Sequence, residues 1–299
     1  MKRAGSPWQI WLAGLGAAAL VVILAGAALG QSDADSRERN QPVAPFRIIG
    51  NIYYVGASDV TSFLIVSPIS DILLDGGYAE TAPQIEANIR TLGFKLTDVK
   101  FLLNSHAHFD HCGGLAELKR RTGAKLVAMD GDAQVLASGG KTDFAFGGKG
   151  LQFPVVKPDR IIHDGDTVRL GGVVMTAHLT AGHTRGDTTW TMTVEDGGKS
   201  YRVVFVGSTS VLSNYRLTKP QSYPGIAADY EKSFQVLKSL PCDVFLGPHG
   251  SFFNLTEKRE ALAKGAQLNP FIDPAGYQEY VKQSEEDYQK AKAASPAAK

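Results

Sequence analysis

A chain of 299 residues is long enough for one large layered core or for two smaller ones. Its 31 Lys and Arg stand against 30 Asp and Glu, a net charge of +1, so it lacks the basic footprint of a nucleic-acid-binding protein. Two cysteines, Cys112 and Cys242, are too few for a disulfide framework; they read as two buried thiols, with a single bridge as the alternative.

Lys2 and Arg3 precede an uncharged run at 10–30, IWLAGLGAAALVVILAGAALG, which closes on the small residues Ala28-Leu29-Gly30 and reads as a secretory signal peptide over residues 1–30. The same run could just span a bilayer as an uncleaved anchor. Either way the body is expected outside the cytoplasm, periplasmic or secreted, and free of the membrane once the signal is cut. Residues 31–45, QSDADSRERNQPVAP, read as a polar leader without a core of its own.

From Phe46 the pattern is strand, turn, strand: FRIIGNIYYVG, TSFLIVSP and DILLDGG, each apolar or alternating and closed by Gly, Pro or Asp. A helix follows in TAPQIEANIRTLGF, with Thr81 as its cap and Ile85, Ile89 and Leu92 on one face. Val99, Phe101, Leu102 and Leu103 read as a buried strand that stops at Asn104. LAELKRRTG is a helix closed by Gly123, and AKLVAMD a strand. The loop at 137–154 is Gly-rich, carries Phe144, Phe146 and Phe153, and has the length of a functional loop. The second half repeats the alternation through RIIHDGDTVRLGG, VVMTAHLTAGHT, DTTWTMTVED, YRVVFVGS, a helix in DYEKSFQVLKSL, a strand in CDVFLGPHG and closing helices. This order predicts mixed sheets with helices on their outer faces in one domain over 46–299.

The segment NSHAHFDHCGG at 104–114 begins where a strand stops. Residues two apart in extended backbone point the same way, so His106 and His108 aim two imidazoles at one point. Asp110 and His111 come after the turn and can aim elsewhere, which suits two adjacent metal ions. Imidazole nitrogen and carboxylate oxygen are the ligand types of zinc, and burying three imidazoles and a carboxylate without a partner would be costly. His183 in LTAGHTRGD and His249 in FLGPHG also fall just after strands. A helical zinc protease would space its histidines i, i+4 around a glutamate, which this segment does not do. His163, in a hairpin-like turn, and His178, on a strand, read as ordinary residues.

With these residues the chain resembles the metallo-β-lactamase superfamily through the motif HxHxDH. In many of its hydrolases a glycine-aspartate after a later strand supplies a carboxylate bridging both metals; the matching stretch here, VVFVGSTSV, has Gly207-Ser208. Histidine at 111 with serine at 208 resembles subclass B3 of the metallo-β-lactamases. So do ILLDGG, GGKTDF, TAGHTRGDTTW, SYPGIAADYEKSFQVLKSLPCDVFLGPHG and NPFIDPAGYQEYV, spread over residues 46–285. Several relatives pair a cysteine at 242 with one nearer the C-terminus, which this chain lacks.

The resemblance implies an α/β fold, a four-layer αβ/βα sandwich of two mixed β-sheets with helices outside. It implies two zinc ions, one on His106, His108 and His183 and the other on Asp110, His111 and His249, with Asp75 as a supporting carboxylate behind them. The implied reaction is hydrolysis of a small-molecule β-lactam by zinc-activated water, conferring resistance to penicillins, cephalosporins or carbapenems. Asp110 and His249 then belong to the catalytic centre, Ser208 and Ser210 contact water and substrate, Arg185 and Asp187 form its rim, and the 137–154 loop flanks the groove. The protein is expected to act as a monomer. The rival of the same fold is an exported hydrolase of a lactone or thioester. From other classes come a mononuclear iron oxidoreductase of the persulfide-dioxygenase type, which expects an aspartate at 208, and a noncatalytic metal-binding module.

Overall fold

The structure, a computed structural model, describes residues 37–148 and 150–295; the expected signal peptide, residues 1–30, and residues 31–36 lie outside the described residues. Among the described residues no helix is long and apolar enough to cross a membrane.

Seven strands form the first sheet in chain order: β1 (Phe46–Ile49), β2 (Ile52–Tyr54), β3 (Phe63–Val66), β4 (Asp71–Leu74), β5 (Val99–Leu103), β6 (Lys125–Met129) and β7 (Arg160–Ile162). The first four pair antiparallel across short turns, whereas β4 through β7 run parallel. Parallel neighbours need long crossovers. These are supplied by α1 (Ala82–Thr91), by α2 (Phe109–Cys112) with α3 (Leu115–Thr122), and by α4 (Asp130–Ser138) with the loop after it. The second sheet holds β8 (Thr167–Leu170), β9 (Val173–Leu179), β10 (Thr188–Asp196), β11 (Lys199–Phe205) and β12 (Val244–Leu246). Their spatial order is β12-β11-β10-β9-β8, antiparallel except for the β11–β12 pair, which α5 (Ile226–Ser239) separates in sequence. A final pair of helices, α6 (Leu255–Ala263) and α7 (Pro274–Ala294), closes the chain.

Strand alternation sorts the core into layers. On β3 and β4 the side chains of Phe63, Ile65, Ile72 and Leu74 face the second sheet, while Leu64 and Leu73 face α1 and α3, where Ile85, Ile89, Leu115 and Leu118 meet them. The two sheets join through contacts such as Phe63 against Phe205, ring centroids 5.2 Å apart. Behind the second sheet, Phe234 and Leu237 of α5 pack with Tyr277, Val281 and Tyr288 of α7. The result is the expected sandwich of two mixed sheets with helices on both outer faces.

Several expectations need correction. Thr81 stands at the N-cap position of α1, at the end of a 3-10 turn, but makes no side-chain capping bond: its hydroxyl donates instead to Asn40 Oδ1 at 2.7 Å. The stretch after β6, not foreseen as helical, forms α4. His163 does not sit in a hairpin, because β7 and β8 belong to different sheets and its turn carries the chain between them. Cys112 and Cys242 are buried free thiols, so the bridge alternative falls. The described part of the leader docks on the fold. Asp59 and Val60 N–H donate to Arg39 O, and Ser58 N–H to Gln41 O.

Candidate metal centre

All six expected ligands stand at one end of the sandwich, on the loops that leave β5, β9 and β12. The β5 strand ends at Leu103, and the chain then runs through Ser105, whose N–H donates to Asp75 Oδ1 at 2.7 Å. Asp75 follows β4 directly with φ 62, is 1 % exposed, and places Oδ2 4.0 Å from His111 Nδ1. It therefore lies beside the His111 ring, on the side away from the Asp110 and His249 contacts made by Nε2. Trp190 of β10 donates from Nε1 to Asn104 O at 3.0 Å, fixing the point where the strand gives way to the histidines.

His106, His108 and His183 converge with their nearest ring nitrogens within 4.8 Å of one another, and His106, Asp110 and His111 form a second such group. Ring centroids are 4.5 Å apart for His108 and His183 and 4.3 Å for His106 and His111. His249 joins the second group, its Nε2 3.2 Å from His111 Nε2 and 3.8 Å from Asp110 Oδ2.

Three of the rings are hydrogen-bonded on one nitrogen, while His108 Nε2 and His111 Nδ1 have only a carboxylate nearby. His183 Nδ1–H donates to Ser210 O at 2.7 Å, and His249 Nδ1–H donates to Asp59 Oδ2 at 2.9 Å. His106 Nδ1 lies 3.1 Å from Ser105 Oγ, and His108 Nε2 lies 3.8 Å from Asp143 Oδ2. This leaves the remaining nitrogens, with lone pairs, pointing inward. His106 Nε2 is fully buried without a hydrogen-bond partner, the signature of a donor atom built for a cation.

Electrostatics keep His106, His108, His183 and Asp110 in ligating form. Burial, reinforced by neighbouring imidazoles, holds His106 and His108 well below the usual histidine range, and burial brings His183 down to about 4. These rings are neutral near pH 7. Burial pushes Asp110 up, but His111, His249 and His108 outweigh it and hold its carboxyl below the ordinary carboxylate range. Burial also favours a neutral His111, yet Asp110 and Asp75 raise it. Five imidazoles and one carboxylate are a donor set that fits a divalent metal of the zinc type.

Three aspartates that sequence reasoning did not place as supports hold this end of the sandwich. Asp132, at the start of α4, accepts from Ala107 N, Thr184 Oγ1 and Gly186 N at 2.8, 2.8 and 2.9 Å, tying the first histidine loop to the loop of His183. Burial raises its carboxyl to about 6. Asp187, expected on the rim, is instead fully buried behind His106. It accepts from Thr180 Oγ1 at 2.9 Å and from Ser208 N at 2.8 Å. Gly207 is required there, because a Cβ would stand 1.9 Å from Asp187 Oδ1. Asp59 orients His249 and is lowered to about 2, since the bond to His249 outweighs its burial. Arg185, by contrast, is exposed as a rim residue would be.

The groove over the histidines encloses about 460 Å³ and is lined by Ser208, Ser210, Phe109, Phe146, Leu151 and Phe252 beside the ligands. Of the three loop phenylalanines expected to flank it, only Phe146 does so, 4.8 Å from the His108 ring. Phe144 turns inward onto Tyr215 and Tyr223, and Phe153 is buried below α4. His163 is exposed beside Asp130, and His178 donates to or accepts from Thr191 Oγ1 on β10, both away from the centre.

The profile of the Metallo-beta-lactamase superfamily matches residues 55–249, the span from β2 to the ligand His249. Among solved structures, the FEZ-1 metallo-β-lactamase of Legionella gormanii is 47% identical with a TM-score of 0.83, covering 85% of this chain and 98% of that one. BJP-1, a subclass B3 metallo-β-lactamase of Bradyrhizobium japonicum, is 40% identical with a TM-score of 0.81, covering 86% and 96%. Curated relatives include a probable metallo-hydrolase of Burkholderia pseudomallei, 31% identical over 54% of each chain. A hydroxyacylglutathione hydrolase of Methylobacterium nodulans is 30% identical over 51% of this chain and 48% of its own. The chain thus spans about half the length of the curated relatives it matches, while it spans nearly the whole of the lactamase structures. The convergence of these ligands at the loop end of the sandwich, together with that profile, places the chain in the metallo-β-lactamase superfamily, a hydrolase of that fold with a metal-binding histidine and aspartate cluster.

Proposed function

We propose that the protein is a zinc-dependent β-lactamase of the B3 kind, exported and acting as a single chain on small-molecule β-lactams, and so a source of resistance to them. The observation that carries this reading is the pair of ligand groups meeting across His106, combined with serine rather than aspartate at 208. His106, His108 and His183 would hold one zinc, and Asp110, His111 and His249 the other. When bound, zinc supplies a water acidified toward neutral pH and an electrophile for a carbonyl oxygen.

The chain's own residues do the rest. Asp110, ionised and at the groove floor with its side chain 16 % exposed, can accept a hydrogen bond from the attacking water and orient it toward the lactam carbonyl. Ser208 and Ser210 present hydroxyls to the same groove. Phe146 and Leu151 offer apolar surface and keep bulk water from the reacting bond. Asp59 and the Ser210 carbonyl hold two of the rings in the required tautomer.

Absorbance of a carbapenem and of a penicillin, followed with purified protein, with chelator and with zinc restored, tests the reading. Loss of the lactam chromophore that stops with chelator and returns with zinc is expected. Inactivity of protein carrying two zincs by elemental analysis would overturn it. The second reading, hydrolysis of a glutathione thioester, is favoured by the curated relatives. A thioester assay run beside the lactam assay separates the two.

A further inference from the structure

The groove is asymmetric in charge. Among its described lining residues Arg39 is the one side chain that is permanently cationic; its other polar lining comes from serines, Tyr78, the histidines and Asp110. Arg39 belongs to the segment ahead of the first strand, and its position is built rather than incidental. Its carbonyl accepts from Asp59 N at 3.0 Å and from Val60 N at 3.2 Å. On either side of it, Ser58 Oγ donates to Glu38 O at 2.7 Å and Gln41 N donates to Ser58 Oγ at 3.0 Å. Pro42 pairs with Ala57 as a β-bridge, and Asn40 Oδ1 accepts from Thr81. The loop so gripped, residues 57–60, is the one whose Asp59 aims His249. Arg39 is therefore carried to the groove lining on a segment that grips the loop orienting a metal ligand.

We propose that Arg39 is the residue that recognises the substrate's carboxylate. This rests on the β-lactam reading. Penicillins, cephalosporins and carbapenems all carry an ionised carboxylate on the ring fused to the lactam. A guanidinium presents paired donors that match a carboxylate better than a hydroxyl does. With the lactam carbonyl over the histidines, a cation at the groove edge and the hydroxyls of Ser210 and Ser251 give the acid end its counter-charge. Arg39 then sets specificity and position and takes no part in bond breaking.

The test uses the full zinc-loaded chain, its Arg39→Ala and Arg39→Lys variants, and one cephalosporin offered both as the free acid and as its methyl ester. Loss of the guanidinium should raise KM for the acid about tenfold, with kcat changed little and the ester unaffected. Arg39→Lys should recover part of the loss, and added salt should weaken acid binding in the wild type more than in Arg39→Ala. An equal effect on acid and ester, or none on either, overturns the proposal. Should the wild type hydrolyse no lactam, the function proposed above falls. The role of Arg39 is then decided by calorimetric binding of intact benzylpenicillin. Weaker binding by Arg39→Ala sustains it, and equal or absent binding by both chains overturns it.

Discussion

The two ligand groups meet at His106 but are supported differently. The group of His106, His108 and His183 is backed from within: Asp132 links its two loops through three hydrogen bonds, Asp187 sits buried behind His106, and a backbone carbonyl aims His183. The group of Asp110, His111 and His249 leans on Asp75 inside but on Asp59 at the rim, whose side chain is 19 % exposed and held by the docked leader. One half of the centre is a property of the core and the other a property of the surface. Rigidity, and with it metal retention, should differ accordingly.

The most damaging change is Asp110→Ala, a residue of the second group that the proposed function also places in the reaction. It should lower kcat about 10³-fold, the equivalent of several kcal/mol of lost stabilisation, measured on a carbapenem at saturating zinc. Activity within tenfold of wild type would remove Asp110 from the reaction.

Asp132→Ala breaks the inner support. Stranding three buried donors should cost about 2–4 kcal/mol in urea unfolding and perturb the first group before the second. An unchanged midpoint would show that the loops are held by something else.

Asp59→Asn breaks the outer support instead. Metal affinity at the second group should fall about 10–100-fold while the first group keeps its ion, read by zinc titration with a competing chelator. The proton linkage has a definite sign. The folded carboxyl at about 2 lies below its ordinary 3.8, so it contributes stability above about pH 4 that is lost as pH falls toward 2. Metal-free wild type should show that acid-side loss, of order 2 kcal/mol, and metal-free Asp59→Asn should not. Asp132, raised to about 6 by burial, acts the other way, its contribution fading as pH climbs from about 4 to about 6. Equal acid profiles in wild type and Asp59→Asn would erase the contrast between the two supports.

Ser210→Ala is the mildest change, because the carbonyl that aims His183 remains. A rise in KM of about three- to tenfold without loss of zinc is expected if the hydroxyl contacts substrate. Loss of zinc would instead make Ser210 part of the inner support.

The convergence of these six residues was legible because their spacing encodes direction: two histidines two apart at a strand end, an Asp-His pair past the turn, and two more histidines after later strands. The supports were not. Asp59 meets His249 across 190 residues, and Asp132 and Asp187 look like ordinary turn aspartates until loops from different strands are brought together. Asp187 was misplaced on the rim because TAGHTRGD reads as a polar turn, although the fold tucks its end beneath His106. The α4 helix escaped notice because DGDAQVLAS opens on turn-forming residues and shows no strong apolar stripe. The leader read as coreless because it docks by backbone hydrogen bonds, which composition does not reveal.

Since the segment around Arg39 is clamped at the edge of the groove, whatever is joined ahead of residue 37 enters the fold at the doorway of the reaction. A purification tag fused there would crowd whatever enters the groove. Cutting the chain back past Pro42 would widen the entrance but release the loop that steadies His249.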